Sequence, residues 1–271
     1  MNPIIIAAIV VVGIGAVCAA VLVVASKLFG VEEDERVAKI RECLPGANCG
    51  ACGYVGCDDY AKALSKDKNV KANLCIPGSD LVSKQISEIL GVEFENVIEQ
   101  VAFVHCYGDC EYTSNKMEYA GVKSCLAEKT LYGGKGKCTF GCLGHGDCVA
   151  VCPHDAICIE NGIARINTRK CVGCGLCEKT CPQGIIEIVP DSYKMIITCS
   201  NTEKGAIVRN ECSKGCIGCK KCEKACPHGA ITVTNNLAQI DYEKCCSCGE
   251  CVKGCPVGCI VFADFKGKHN T

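Results

Sequence analysis

The chain has 271 residues, a formal net charge of −1, no Trp and 30 Cys. The near-neutral charge excludes a strongly basic nucleic-acid binder, and aromatics at 5 % leave few large side chains to fill a core. A disulfide scaffold calls for a short secreted chain, and this one is neither short nor supplied with a cleavable signal, so the cysteines read as metal ligands.

In chain order, residues 1–27 read as a transmembrane anchor. Residues 1–26 carry no charged side chain, and Ile4 to Ala25 is a run of Ile, Val, Ala, Leu and Gly. As a helix that run is roughly 33 Å long, enough to cross a hydrocarbon layer of ~30 Å. Lys27 and Arg36 follow it, which favours a cell (inner) membrane protein with a single pass and its bulk on the cytoplasmic side, although Glu32 to Glu35 dilute the signal. Cys18 within the span reads as a small apolar residue. A charged linker follows over 28–42.

Residues 43–98 form a four-Cys module built on Cys49, Cys52, Cys57 and Cys75. Short helices are expected over Asp58–Leu64 and Leu81–Leu90. Four thiolates suit iron–sulfur or zinc, and the motifs downstream favour iron. Residues 99–137 read as a Cys-containing connecting region. Its Gly133-Gly-Lys-Gly136 lacks the phosphate-loop pattern and reads as a turn.

The second half carries the strongest signal. Cys171, Cys174, Cys177 and Cys181-Pro182 have the spacing C-x2-C-x2-C-x3-C-P. It returns at Cys216, Cys219, Cys222 and Cys226-Pro227, and again at Cys245, Cys248, Cys251 and Cys255-Pro256. An altered copy runs Cys138, Cys142, Cys148, Cys152-Pro153. This is the bacterial-ferredoxin run for paired [4Fe–4S] clusters, in which the last Cys ligates the other cluster. Two dicluster units are therefore expected, 138–190 and 212–264, separated by a connector over 191–211 and followed by a tail over 265–271. The offset from Cys142 to Cys216 points to an internal duplication. Each unit contains a hairpin pattern, one around Asn161-Gly162 and a weaker one around Asn235-Asn236. Cys158 and Cys259 are expected on strands as core packing. The fold class is α+β.

Overlaying the units places His145 where Cys219 stands, and Cys138 over Cys212. Cys138 is expected to replace the missing thiolate, and His145 to be a solvent-facing loop residue rather than a ligand. The exchange rule then groups Cys138, Cys142, Cys148 with Cys181, and Cys171, Cys174, Cys177 with Cys152. It likewise groups Cys216, Cys219, Cys222 with Cys255, and Cys245, Cys248, Cys251 with Cys226. With the four-Cys module this makes five [4Fe–4S] clusters. Cys106, Cys110 and Cys125 leave room for a sixth, completed by Cys199 or Cys212. No side chain reads as an acid–base catalyst.

The order of parts is similar to a known family. An apolar start, then C-G-x-C-G-x-x-G-C with a distant Cys-x-Pro-Gly, then ferredoxin motifs, resembles the B subunit of the Rnf ion-translocating ferredoxin:NAD⁺ oxidoreductase complex, in its long form with two ferredoxin units. The resemblance implies an electron-input subunit that takes low-potential electrons from soluble ferredoxin. It implies membrane and flavin subunits as partners, with NAD⁺ reduced on a different subunit. Six cations against two acids between Lys204 and Lys224, a local +4, offer a docking patch for an acidic ferredoxin. The rival readings are a stand-alone membrane polyferredoxin, a reducing system for a redox regulator, and a zinc-binding scaffold.

Overall fold

The computed structural model describes residues 3–28, 34–67, 69–263 and 265. Helix α1 spans Pro3–Leu28, 26 residues without an acidic residue in its first turn. Its side chains are described at Ile4 and over residues 11–25, where Val11, Val12, Leu22 and their neighbours are exposed. Among the described residues no helix is long and apolar enough to cross a membrane. The side chains of residues 5–10 and 26–28, residues 29–33 of the linker, and the tail beyond 265 lie outside the described residues.

The four-Cys module is helical. Helix α2 (Glu35–Cys43) starts at Asp34, whose carboxylate accepts the Arg36 N–H at 3.0 Å. Helices α3 (Cys57–Lys66) and α4 (Ser79–Leu90) follow, the latter ending on left-handed Gly91. Both cover the two segments expected to be helical. Apolar residues at helical spacing bring Ile40, Tyr60, Leu64 and Ile86 into one core. Tyr60 is buried, and its hydroxyl donates to the Lys71 carbonyl at 2.7 Å.

Strand β1 (Gln100–Val104) opens the first ferredoxin-like unit. It is followed by α5 (Cys125–Tyr132), α6 (Asp147–Ala150), the hairpin β2 (Ile157–Glu160) and β3 (Ile163–Ile166), α7 (Leu176–Thr180), and β4 (Ile186–Pro190). The second unit repeats the plan with β5 (Met195–Ile197), α8 (Gly205–Glu211), α9 (Lys221–Ala225), the hairpin β6 (Ile231–Thr234) and β7 (Leu237–Ile240), α10 (Glu250–Gly254), and β8 (Ile260–Phe262). Both hairpins turn where the Asn-containing pairs stand.

Each unit also pairs its first strand with its last, β1 with β4 and β5 with β8, antiparallel. Strands β1 and β5 lie in segments whose sequences read as connectors. Val101–Val104 and Met195–Ile197 are short runs buried on both faces, so they lack the alternation that marks a half-exposed strand. Alternate side chains serve two cores. Ala102, Val104 and Ile186 face the first unit's cysteines, and Met195 and Ile197 face the second's. Val101, Phe103, Val189 and Ile196 point the other way and make a shared seam, so the units pack back to back. His105 bridges the seam: its ring nitrogens contact the Ile197 carbonyl at 2.6 Å and the Glu187 carboxylate at 2.8 Å.

Of the two strand cysteines, Cys158 on β2 is only partly buried, because it sits on the outer face of the hairpin. Cys259 lies just before β8 and is 2 % exposed. The duplication is visible in detail at Gly144 and Gly218, which have φ of +73° and +61°. A Cβ there would stand 2.3 Å from the Gly162 carbonyl oxygen and 2.8 Å from the Asn236 carbonyl oxygen, so each motif loop presses on the turn of its own hairpin.

The seam generates a first prediction. Ile196 is fully buried in it, and Ile196→Ala is expected to cost about 2–5 kcal/mol. Anaerobic thermal unfolding of the intact chain checks this; an unchanged midpoint would mean that the units do not rely on the seam.

Candidate metal centres

Cys49, Cys52, Cys57 and Cys75 surround one cavity of about 10 Å³. Cys57 opens α3, and its N–H donates to the Asn48 side chain at 2.8 Å, which fixes the loop carrying Cys49 and Cys52. Cys75 precedes a 3-10 turn over Ile76–Gly78. Burial pushes the Cys75 thiol up to about 11, and the charges of the three neighbouring thiols add to this. Lys179 on α7 donates to the Cys49 carbonyl at 2.9 Å and joins this module to the first ferredoxin-like unit.

In that unit Cys171, Cys174 and Cys177 share a cavity of about 20 Å³ with Cys152 from the altered copy. Backbone N–H groups point at the sulfurs, Ala102 at Cys171 (3.3 Å) and Ala156 at Cys152 (3.4 Å). The second cavity, also about 20 Å³, is lined by Cys125, Cys142, Cys148 and Cys181. Cys125 thus lines this cavity, whereas Cys138, which the motif alignment groups here, lines a different one together with Cys142.

The physical cause is helix α5, which begins at Cys125. Asp147, next to Cys148, caps that helix: its carboxylate accepts the N–H groups of Cys125 at 2.9 Å and Leu126 at 3.1 Å, and the Ser124 hydroxyl at 2.9 Å. Burial opposes ionisation of Asp147, but these bonds outweigh it and hold the carboxyl below its ordinary range. His145, in the position of the missing cysteine, is not solvent-facing. Its side chain is 11 % exposed and its Nε2 contacts the Glu128 carboxylate, which is fully buried. Glu128 also accepts the Lys135 N–H, and its carboxylate lies 3.7 Å from Lys135 Nζ. The histidine at the position of Cys219 thus contacts the helix that begins at Cys125.

In the second unit Cys216, Cys219, Cys222 and Cys255 line a cavity of about 10 Å³, as the exchange rule groups them. The buried Cys259 sulfur sits 3.6 Å from that of Cys255 and, through hydrogen bonding, pulls the Cys255 thiol down to about 5. Cys251 stands with Cys245 and Cys248, and Cys226 packs in the same core. Ala230 N–H points at Cys226 Sγ at 3.3 Å, as Ala156 does at Cys152.

The structure divides the group Cys106, Cys110 and Cys125. Cys125 belongs to the quartet above, while Cys106 and the exposed Cys110 line a cavity of about 430 Å³ together with Cys138, Cys199 and Cys212. Sequence spacing also gave no sign of Asp147, Glu128 or Asn201 as supporting residues. For Cys125 the one local signal was Ser124, an N-cap residue ahead of an unrecognised helix.

The donor sets fit iron–sulfur clusters. They are thiols throughout, they surround voids, and backbone N–H groups are aimed at their sulfurs, as such clusters require. Among the described residues no group of three or more His, Cys, Asp or Glu is arranged to hold a metal ion.

Comparison with known proteins agrees. Residues 44–77 match the family described as "Putative Fe-S cluster", and residues 170–231 and 215–259 match two families described as 4Fe-4S dicluster domain. The chain is 43 % identical over 82 % of its length to the B subunit of the Na⁺-translocating ferredoxin:NAD⁺ oxidoreductase complex of Acetobacterium woodii, covering 67 % of that protein. It is 40 % identical over 89 % of its length to the B subunit of the proton-translocating ferredoxin:NAD⁺ oxidoreductase complex of Clostridium ljungdahlii, covering 85 % of it. It is also 40 % identical over 86 % to the B subunit of the ion-translocating oxidoreductase complex of Methanosarcina acetivorans, covering 88 % of it. The chain belongs to this family of B subunits. The three domain matches leave residues 78–169 uncovered, and there the structure alone groups the cysteines.

A prediction follows from the buried carboxylate of this family member. Glu128→Ala leaves His145 and Lys135 without their partner and is expected to cost about 3–5 kcal/mol, with a smaller loss for Glu128→Gln. Thermal unfolding under anaerobic conditions measures both; equal stability of the two variants would contradict the role of the charge.

Proposed function

We propose that this chain is the membrane-anchored iron–sulfur subunit that receives electrons from a soluble ferredoxin within an ion-translocating ferredoxin:NAD⁺ oxidoreductase. The observation that carries the reading is the crossing of thiols: Cys181 joins Cys142 and Cys148, Cys152 joins Cys171, Cys174 and Cys177, and Cys255 joins Cys216, Cys219 and Cys222. A chain built this way holds paired clusters and serves as a relay. The quartets are assigned as Cys49, Cys52, Cys57, Cys75; Cys125, Cys142, Cys148, Cys181; Cys152, Cys171, Cys174, Cys177; Cys216, Cys219, Cys222, Cys255; and Cys226, Cys245, Cys248, Cys251.

Bound [4Fe–4S] clusters supply reversible one-electron chemistry, and the chain supplies the rest. Its thiols ligate, its N–H groups of Ala102, Ala156, Ala164 and Ala230 donate to ligand sulfur, and its apolar cores exclude water. NAD⁺ chemistry, flavin binding and the ion path are assigned to partner subunits.

Docking is assigned to the exposed cations Lys204, Arg209, Lys220, Lys221 and Lys224; Lys220 lines the same cavity as the exposed Cys219. Charge complementarity with an acidic ferredoxin would speed encounter and weaken with salt. The anchor is assigned to α1, whose 26 residues correspond to about 39 Å of helix. Its exposed valines, isoleucines and leucine favour lipid contact, and the body of the chain is assigned to the cytoplasmic side.

Three outcomes are expected. Anaerobically isolated chain carries at least about 20 iron and 20 acid-labile sulfide and shows cluster EPR signals on reduction; a colourless, zinc-rich sample would refute the reading. Reduction by ferredoxin slows as ionic strength rises and slows further in Lys220→Glu/Lys221→Glu, whereas a salt-independent rate would remove the docking patch. Removing residues 1–28 moves the chain from the membrane to the soluble fraction, and continued membrane attachment in the absence of partner subunits would remove the anchor.

A further inference from the structure

We infer that Cys106, Cys138, Cys199 and Cys212 form a sixth thiolate site, which takes one [4Fe–4S] cluster at the junction of the two ferredoxin-like units. The inference rests on the iron–sulfur reading of the chain and adds to it a site that none of the three domain matches covers as a set.

The first observation is convergence. All four thiols line the cavity of about 430 Å³ between the units. A Cβ built on Gly108 would meet the Cys212 sulfur at 2.9 Å and the Cys106 sulfur at 3.9 Å, so these two thiols flank one spot. A Cβ on Gly141 would stand 3.8 Å from both Cys106 Sγ and Cys138 Cβ. Glycine at both places leaves the void open where a side chain would intrude.

The second observation is symmetry. Cys106 lies two residues past β1, and Cys199 two residues past β5. The N–H of Cys142 donates to Cys106 Sγ at 3.4 Å, and the N–H of its counterpart Cys216 donates to Cys199 Sγ at 3.3 Å. Cys138 and Cys212 likewise stand four residues ahead of Cys142 and Cys216, and each offers its carbonyl to a following glycine N–H, Gly141 at 3.5 Å and Gly215 at 3.2 Å. Each unit therefore contributes one equivalent pair of thiols, and back-to-back packing brings the two pairs to a single void.

The third is polar support. Asn201 is 1 % exposed, and its side-chain amide donates to Cys138 Sγ at 3.4 Å and to the Glu211 carboxylate at 2.9 Å. Its own N–H donates to Cys199 Sγ at 3.4 Å. A buried residue aimed at two sulfurs from opposite units matches the hydrogen bonding that cluster thiolates receive. Cys110 also lines the void, but it is exposed, and Glu203 occupies the equivalent place after β5. It stands outside the set.

Metal counting on the anaerobic full-length chain tests the site without recourse to activity. The wild-type chain is expected to hold about 24 iron and 24 sulfide, and Cys106→Ala/Cys138→Ala and Cys199→Ala/Cys212→Ala each about four fewer of both. Cys110→Ala keeps the full count. A wild-type chain with about 20 iron, unchanged in both double variants, overturns this inference and leaves the relay reading intact. A wild-type chain with no iron overturns the relay reading itself. Should the variants fail to fold, anaerobic native mass spectrometry of the unsubstituted chain decides: six clusters support the junction site and five exclude it.

Discussion

Burial of sulfur is the constraint on which this structure depends. The cavities draw thiols from segments far apart in the chain, and burial pushes some of them away from ionisation: Cys106, Cys148 and Cys177 are each raised to about 12, with neighbouring thiolate charge adding to the effect. A thiolate in such a place needs a positive partner, so folding and metal loading are one equilibrium. The absence of Trp and the few aromatics fit this arrangement, because cysteine cores occupy the place of large side chains.

Duplication explains much of the remainder. A single unit has a hairpin, two motif loops and a closing strand pair, which leaves one strand face apolar and uncovered. Two copies bury that face against each other through Val101, Phe103, Val189 and Ile196. The same packing turns residues that follow β1 and β5 toward a common space. A junction between the units is therefore a consequence of how each unit covers its own weak side, and the cysteines found there come in equivalent pairs.

The altered copy shows how a motif departs from its pattern without losing its geometry. Unit two keeps Cys219; unit one has His145 there and gains Cys125 from an inserted helix. His145 fastens Glu128 on that helix, and Asp147 caps its first turn beside Cys125. Three residues near the altered position thus secure the helix that brings Cys125 to this cavity. Nothing in the spacing of Cys125 announces this, since the residue is 17 positions before Cys142 and belongs to no C-x2-C pair.

The sequence by itself determined the iron–sulfur chemistry, the duplication, both hairpins and the helices of the four-Cys module, and it proposed quartets from the regular motifs. Those features are local: a turn of two residues or three cysteines on one loop is set by neighbours in the chain, and Cys-Pro spacing carries the exchange between paired loops. Only the tertiary structure decided the strands β1 and β5, the placing of Cys125 and Cys138 at different cavities, the contact of His145 with Glu128, and the meeting of Cys106, Cys138, Cys199 and Cys212 at one void. Each of these depends on contacts between residues many positions apart, created when strand pairs close and the two units pack, and no short-range pattern encodes a distance that packing alone establishes.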